Sequence, residues 1–149
     1  SDVYKRQGIN IAVGTDGPSS NNALDMFREM YLICATQKLA ENDAAACDAQ
    51  KILYAATVGS ARCMGLDDCD VIDTGKTADL TVINLHSPNM QPLNDIVKNI
   101  VYSGSKINVK LTMVNGKILY ENGEFIGTDT EELYYDAQKI TDRLKGTQN

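Results

Sequence analysis

A short alternating run, Ile9-Asn10-Ile11-Ala12-Val13, breaks directly into Gly14-Thr15-Asp16-Gly17-Pro18, and a long stretch of helical periodicity follows. Alternation is the period of a strand, and a cluster of glycine, proline and aspartate ends one. From Ala23 to about Ala40, Leu24, Phe27, Tyr31 and Cys34 mark one apolar stripe, which Met26, Met30 and Ile33 widen. A stripe that broad suits a helix lying on a sheet. Strand, polar turn and helix in that order make an α/β unit. Ser19, Ser20, Asn21 and Asn22 stand before the helix as candidate N-caps, side chains able to accept from its free backbone amides.

Residues 44–57 predict a second helix, with Ile52, Leu53, Ala55 and Ala56 on its buried face. Gly59-Ser60-Ala61 leads into a short helix closed by Gly65. After Leu66 the texture changes to strands. Residues 79–84, 99–103 and 109–114 each read as one, and Asn115-Gly116 marks a hairpin, because both residue types tolerate the positive φ of a type I′ turn. Residues 117–120 return, and Asn122-Gly123 turns the chain again. Thr128 and Glu131 have the spacing of a capping box before a helix with Leu133, Ala137, Ile140 and Leu144 on one face. The expected architecture is thus α/β over 8–66, a β portion over 67–127 and a terminal helix over 128–149. Residues 1–7 lack a start methionine and join abruptly to the first strand. They read as a translated library adapter rather than native chain, and the rest as the tail of a longer protein.

Fourteen Lys and Arg against twenty Asp and Glu give a net charge of −6. That balance argues against binding nucleic acid or an anionic membrane surface, since both need a basic face. No apolar run approaches the ~20 residues of a membrane span, so a soluble, cytoplasmic protein is expected. The four cysteines, Cys34, Cys47, Cys63 and Cys69, form no C-x-x-C pair and read as small hydrophobes kept reduced. His86 is the single histidine, so no histidine-based metal cluster can be assembled from these residues alone. Gly75-Lys76-Thr77 resembles the end of a phosphate loop, but Asp70 stands where the earlier glycine is required. No G-x-S-x-G elbow surrounds Ser19 or Ser20.

Asp16 is the residue with most chemical promise. A carboxylate at the carboxyl end of a buried strand is where α/β barrels place catalytic groups. It can hold a divalent metal or accept a proton. On spacing alone, an aspartate bonded to its own turn is the more ordinary role. Ser20, Asn21 and Asn22 either cap the helix or line a polar pocket beside Asp16. Arg28 and Glu29 read as a solvated or salt-bridged helix face rather than as catalytic groups.

Further residues change that balance. Gly14-Thr15-Asp16-Gly17, then Ser20-Asn21-Asn22-x-Leu24-Asp25-Met26-Phe27-x-Glu29-Met30, resembles the signature around the last barrel strand of the amidohydrolase superfamily. Within it, the run is most similar to the methylthioadenosine/S-adenosylhomocysteine deaminases. Ala56-Thr57-x-Gly59-Ser60-Ala61 with Gly65-Leu66, Gly75-Lys76-x-Ala78-Asp79-Leu80 and Val114-Asn115-Gly116-Lys117 agree with the wider superfamily. The resemblance implies the last strand and helices of a TIM-like (β/α)8 metallo-hydrolase barrel, then the C-terminal part of a small β-sandwich. It implies Zn2+ or Fe2+ held by four histidines and the aspartate matching Asp16, with a glutamate from an earlier strand moving protons. The implied reaction is hydrolytic deamination of the adenine ring of a purine nucleoside, releasing ammonia. Asp16 is the implied metal ligand and catalytic residue, and Ser20, Asn21 and Asn22 the implied substrate contacts.

One aspartate cannot satisfy a metal that takes about four ligands, and His86 falls in a loop of the β portion. By itself the chain is therefore expected to bind no metal and to be inactive. A guanine- or cytosine-type deaminase, or a chlorohydrolase-like relative, is the alternative within the superfamily. A non-catalytic β-rich interaction module is the alternative outside it. A homo-oligomer is left open.

Overall fold

The computed structural model describes residues 7–146. The reading of the first residues as an adapter falls, apart from Gln7, outside them.

The expected strand at 9–13 belongs to no sheet among the described residues. A strand is stabilised by a neighbour's backbone, and the described sheet lies elsewhere in the chain. Side chains hold this segment instead. Asn10 Nδ2 donates to the Gly59 carbonyl at 2.8 Å, Ser60 Oγ accepts from Val13 N–H at 3.2 Å, and the same hydroxyl donates to the Val13 carbonyl at 3.0 Å. Val13 is buried, whereas Ile9 and Ile11 remain exposed.

Helix α1 spans Met26–Glu41 and ends at Asn42, whose left-handed φ of 50° turns the chain back. Helix α2 covers Ala49–Tyr54, is capped by Asp48, and runs into a π-helical turn, Ala55–Gly59, before α3 at Ser60–Cys63. The second helix is thus shorter at its start than its periodicity predicts, because Asp43 and Asp48 bond local amides and break the run into turns. Cys34 on α1 and Cys47 just before α2 form a disulfide, their Cα atoms 5.2 Å apart. This corrects the expectation of four reduced thiols. The reversal at Asn42 brings together two cysteines 13 residues apart, and a C-x-x-C search could not see them. Cys63 and Cys69 are free.

Residues 99–103, read as a strand, belong instead to helix α4, Ile96–Ser103. Two signals outweighed the β-branched composition. Asp95 caps the helix, its side chain accepting from Lys98 N–H at 3.1 Å. Ile96, Val97, Ile100 and Val101 also recur with a helical period. The helix packs on α1 and α2, so the core of buried Met30, Cys34, Cys47, Ala49, Ile52 and Val101 is helical apart from Cys47, with Phe27, Ile33 and Leu53 against it. Gly104 ends α4 where Phe27 arrives. A Cβ there would lie 2.6 Å from the Phe27 ring.

The strands form one antiparallel sheet in the order β1 (Leu80–Ile83), β2 (Val109–Val114), β3 (Lys117–Glu121) and β4 (Glu124–Phe125). Both turns form where expected. Asn115 and Gly116 have φ of 49° and 74°, and Asn122 and Gly123 have 49° and 102°, the mirror-image turn that matches strand twist. Sheet and helices meet at Asn108, which is fully buried. Its Oδ1 accepts from Asn89 Nδ2 at 2.8 Å and Ser105 N–H at 2.9 Å, and its Nδ2 donates to Asn89 Oδ1 at 3.1 Å.

The terminal helix, α5, spans Thr130–Gly146. Asp129, not Thr128, accepts from its first amides, those of Glu131 and Glu132, at 3.0 Å each. A carboxylate one residue on displaced the expected hydroxyl cap. Leu133, Ile140 and Leu144 are 50–59% exposed, so the apolar face read from the sequence stays largely open to solvent. No described helix is long and apolar enough to cross a membrane.

Candidate active site

Asp16 follows the side-chain-held segment and precedes α1. Its backbone has a φ of 58°, a left-handed conformation that aspartate tolerates better than most residues. The carboxylate Oδ1 accepts from Gly17 N–H at 2.6 Å, and the Thr15 hydroxyl donates to the Asp16 carbonyl at 3.1 Å. Ser20 N–H and Asn21 N–H both donate to the Gly17 carbonyl, at 3.0 and 2.9 Å. The ordinary turn role weighed for Asp16 is therefore real. It leaves Oδ2 and the outer side of the group open, since the residue is exposed.

Asn21 organises the surroundings. Its Nδ2 donates to the Thr15 carbonyl at 3.0 Å and to Glu29 Oε1 at 2.6 Å, and its Oδ1 accepts from Ala23 N–H at 3.4 Å. The turn that carries Asp16 is thus tied through one amide to the first turn of α1. The helix itself is capped by Asp25, whose Oδ1 accepts from Phe27 N–H at 3.0 Å and Arg28 N–H at 3.4 Å. That corrects the capping role considered for Ser20, Asn21 and Asn22. Ser20 and Asn22 are exposed on the same loop as Asp16, free of capping duty and available to a ligand.

Glu29, expected on a solvated or salt-bridged face, is half-buried and faces back to Asn21. The signal was present: helical side chains lean toward the N-terminus, so an acid one turn into α1 lies over the residues preceding it. Sequence reasoning also passed over Asp25, the acid immediately before the helix.

A second polar cluster lies in the loop after α3. The Asp70 carboxylate, 6% exposed, accepts from Lys76 Nζ at 2.7 Å and is paired with Arg62 Nη2 at 3.1 Å. The Lys76 hydrogen bond, aided by Arg62, holds the Asp70 carboxyl below the usual carboxylate range, against its desolvation. The same bond raises the Lys76 ammonium. Lys76 also donates to the Asp67 carbonyl. A lysine consumed in this way is a loop fastener, in agreement with setting aside a phosphate-loop role.

Among the described residues no group of three or more His, Cys, Asp or Glu side chains could hold a metal ion. His86 sits exposed in the turn after β1, its backbone N–H donating to Asn84 Oδ1 at 3.0 Å. The donors present, a single carboxylate at Asp16, do not fit a resident metal without others.

An amidohydrolase family profile matches residues 1–119. The chain belongs to the amidohydrolase family. The chain is 37% identical over 140 residues to a 5-methylthioadenosine/S-adenosylhomocysteine deaminase of Caldanaerobacter subterraneus subsp. tengcongensis, covering 93% of this chain and 32% of that protein. It is 34% identical to a 5'-deoxyadenosine deaminase of Methanosarcina mazei, covering 95% of this chain and 33% of the relative. An adenosine deaminase from Xanthomonas campestris, crystallised with bound zinc, superposes with a TM-score of 0.90 at 37% identity, over 95% of this chain and 33% of that one. The chain therefore spans about a third of the length of the relatives it matches.

Proposed function

We propose that this chain is the C-terminal part of an amidohydrolase that hydrolytically deaminates the adenine ring of methylthioadenosine- or S-adenosylhomocysteine-type nucleosides. In this reading 8–66 closes a TIM-like barrel, 67–127 supplies part of a small β-sandwich, and 128–149 is the terminal helix. Support for the substrate class comes from relatives whose names all carry an adenosine-type nucleoside. The observation that carries the site is the exposed Asp16 carboxylate, held on a turn fixed by Asn21 and Glu29.

In this reading Asp16 presents a carboxylate at a mouth where it would be one ligand of Zn2+ or Fe2+, the remaining ligands coming from outside these 149 residues. A carboxylate placed there can accept a proton while water replaces the amino group of the purine and ammonia leaves. Ser20 and Asn22 contribute hydroxyl and amide groups that hydrogen-bond the nucleoside. Asn21, already engaged, holds the loop rather than the substrate.

The test is the parent protein assayed with methylthioadenosine and S-adenosylhomocysteine, following ammonia release. Asp16→Ala is expected to abolish turnover with an unchanged circular dichroism spectrum, and Ser20→Ala to raise KM more than it lowers kcat. Retained turnover in Asp16→Ala would remove that residue from the reaction. Absence of deamination in an intact parent would overturn the substrate class.

A further inference from the structure

Glu29 stands on a rigid footing. Its neighbours along α1, Phe27 and Met30, fix the helix in the core: Met30 is buried, and Phe27 packs where Gly104 leaves room for its ring. Asp25 caps the same turn, and its carbonyl accepts from Glu29 N–H at 3.2 Å. The side chain leans back over the preceding loop and accepts from Asn21 Nδ2 at 2.6 Å. Among the described residues no ion pair involves Glu29. This half-buried carboxylate has an amide, not a cation, as its partner.

The Asn21 amide carries one oxygen acceptor and two N–H donors. Its oxygen faces the Ala23 N–H, and its nitrogen faces two acceptors, the Thr15 carbonyl and Glu29 Oε1. Turning the amide over would aim its oxygen at two other oxygens and leave the Ala23 amide facing an N–H group. Glu29 therefore opposes that turn, and a charged acceptor makes the stronger bond. The Thr15 carbonyl belongs to the peptide unit that enters Asp16, whose φ is 58°. A tie that fixes this peptide fixes the direction in which the Asp16 carboxylate leaves the backbone.

We propose that Glu29 is a positioning residue for Asp16, acting through the Asn21 amide on the Thr15 carbonyl. The inference rests on the role given to Asp16 in the reaction above. Glu29 acts at one remove from the substrate, keeping the carboxylate aimed. A displacement on the order of 1 Å at a catalytic group can cost about a hundredfold in rate.

The test uses the parent protein, with turnover and amide exchange over residues 15–23 read side by side. Glu29→Ala is expected to lower kcat roughly tenfold or more with KM nearly unchanged, and to speed exchange at Gly17, Asn21 and Ala23. Glu29→Gln keeps an acceptor in the same place and should hold kcat and exchange within roughly threefold of the wild type, a neutral acceptor being the weaker one. Asn21→Ala should cost at least as much as Glu29→Ala, and the double variant no more than Asn21→Ala alone, because the two act in one chain. Unchanged exchange in Glu29→Ala would overturn the proposal, as would full turnover by that variant when the wild type deaminates. A Glu29→Gln variant as impaired as Glu29→Ala would overturn it too, by assigning the effect to charge. In a parent that deaminates no adenosine-type nucleoside, the substrate reading fails while exchange still decides whether Glu29 holds the turn.

Discussion

Replacing Asn108 with alanine should unfasten the sheet from the helices. The side chain is completely buried and takes part in three hydrogen bonds, two with Asn89 and one with the Ser105 amide. A neutral intramolecular bond contributes about 1 kcal/mol net, and a buried group left unpaired costs about 1–3 kcal/mol. Asn89 is exposed and can turn to water, so the larger penalty falls on the half-buried Ser105 amide. The sum is a loss of about 3 kcal/mol. With a urea dependence of about 1–3 kcal/mol per molar for a small protein, the unfolding midpoint should fall by roughly 1–3 M. Asn89→Ala leaves the buried Asn108 Nδ2 without its acceptor and removes the Asn89 bond to the Ser103 carbonyl, so it should cost about 2–3 kcal/mol. In the double variant the losses should fail to add, since both act on shared bonds. Urea titrations followed by circular dichroism measure all three. A loss under about 0.5 kcal/mol for Asn108→Ala, or strict additivity with Asn89→Ala, would refute the view of this pair as the fastening between helical core and sheet.

Gly59→Ala should detach the 9–13 segment, because the added Cβ would run into the Ile11 carbonyl; faster amide exchange at Val13 with α1 still protected is the expected result. Asp70 is held in its charged form mainly by Lys76, so its stabilisation is present above the unfolded carboxylate pKa of about 3.9 and lost as pH falls through the lower folded value. The stability advantage of the wild type over Asp70→Asn should therefore be full at neutral pH and shrink in acid, and a constant difference across pH would count against the pairing. Elemental analysis of the purified chain should find no stoichiometric zinc, as the donors present offer one carboxylate.

The legible parts of the fold were those decided locally. Asn115-Gly116 and Asn122-Gly123 require positive φ, and strands β2 and β3 follow from them nearly residue for residue. The illegible parts were decided by partners. Residues 99–103 have strand composition, yet a cap at Asp95 and a place between α1 and α2 made them helical. The 9–13 run alternates as a strand does, but alternation cannot supply a neighbouring backbone. At the candidate site, Asp16 and Asn21 could be read from the turn that holds them. Glu29 needed the helix direction as well, because its partner lies eight residues earlier.

The π-helical turn at Ala55–Gly59 amounts to one residue more than an ordinary helix would carry there. The wider turn takes up that residue, so the helix beyond it keeps the phase that sets the Ser60 hydroxyl on Val13 and the Gly59 carbonyl on Asn10. A lineage could lose the residue, return to an ordinary turn and keep the clasp that sets the run-up to Asp16. Length is therefore freer at this one turn than along a regular helix, where each residue added or lost rotates the rest by about 100°.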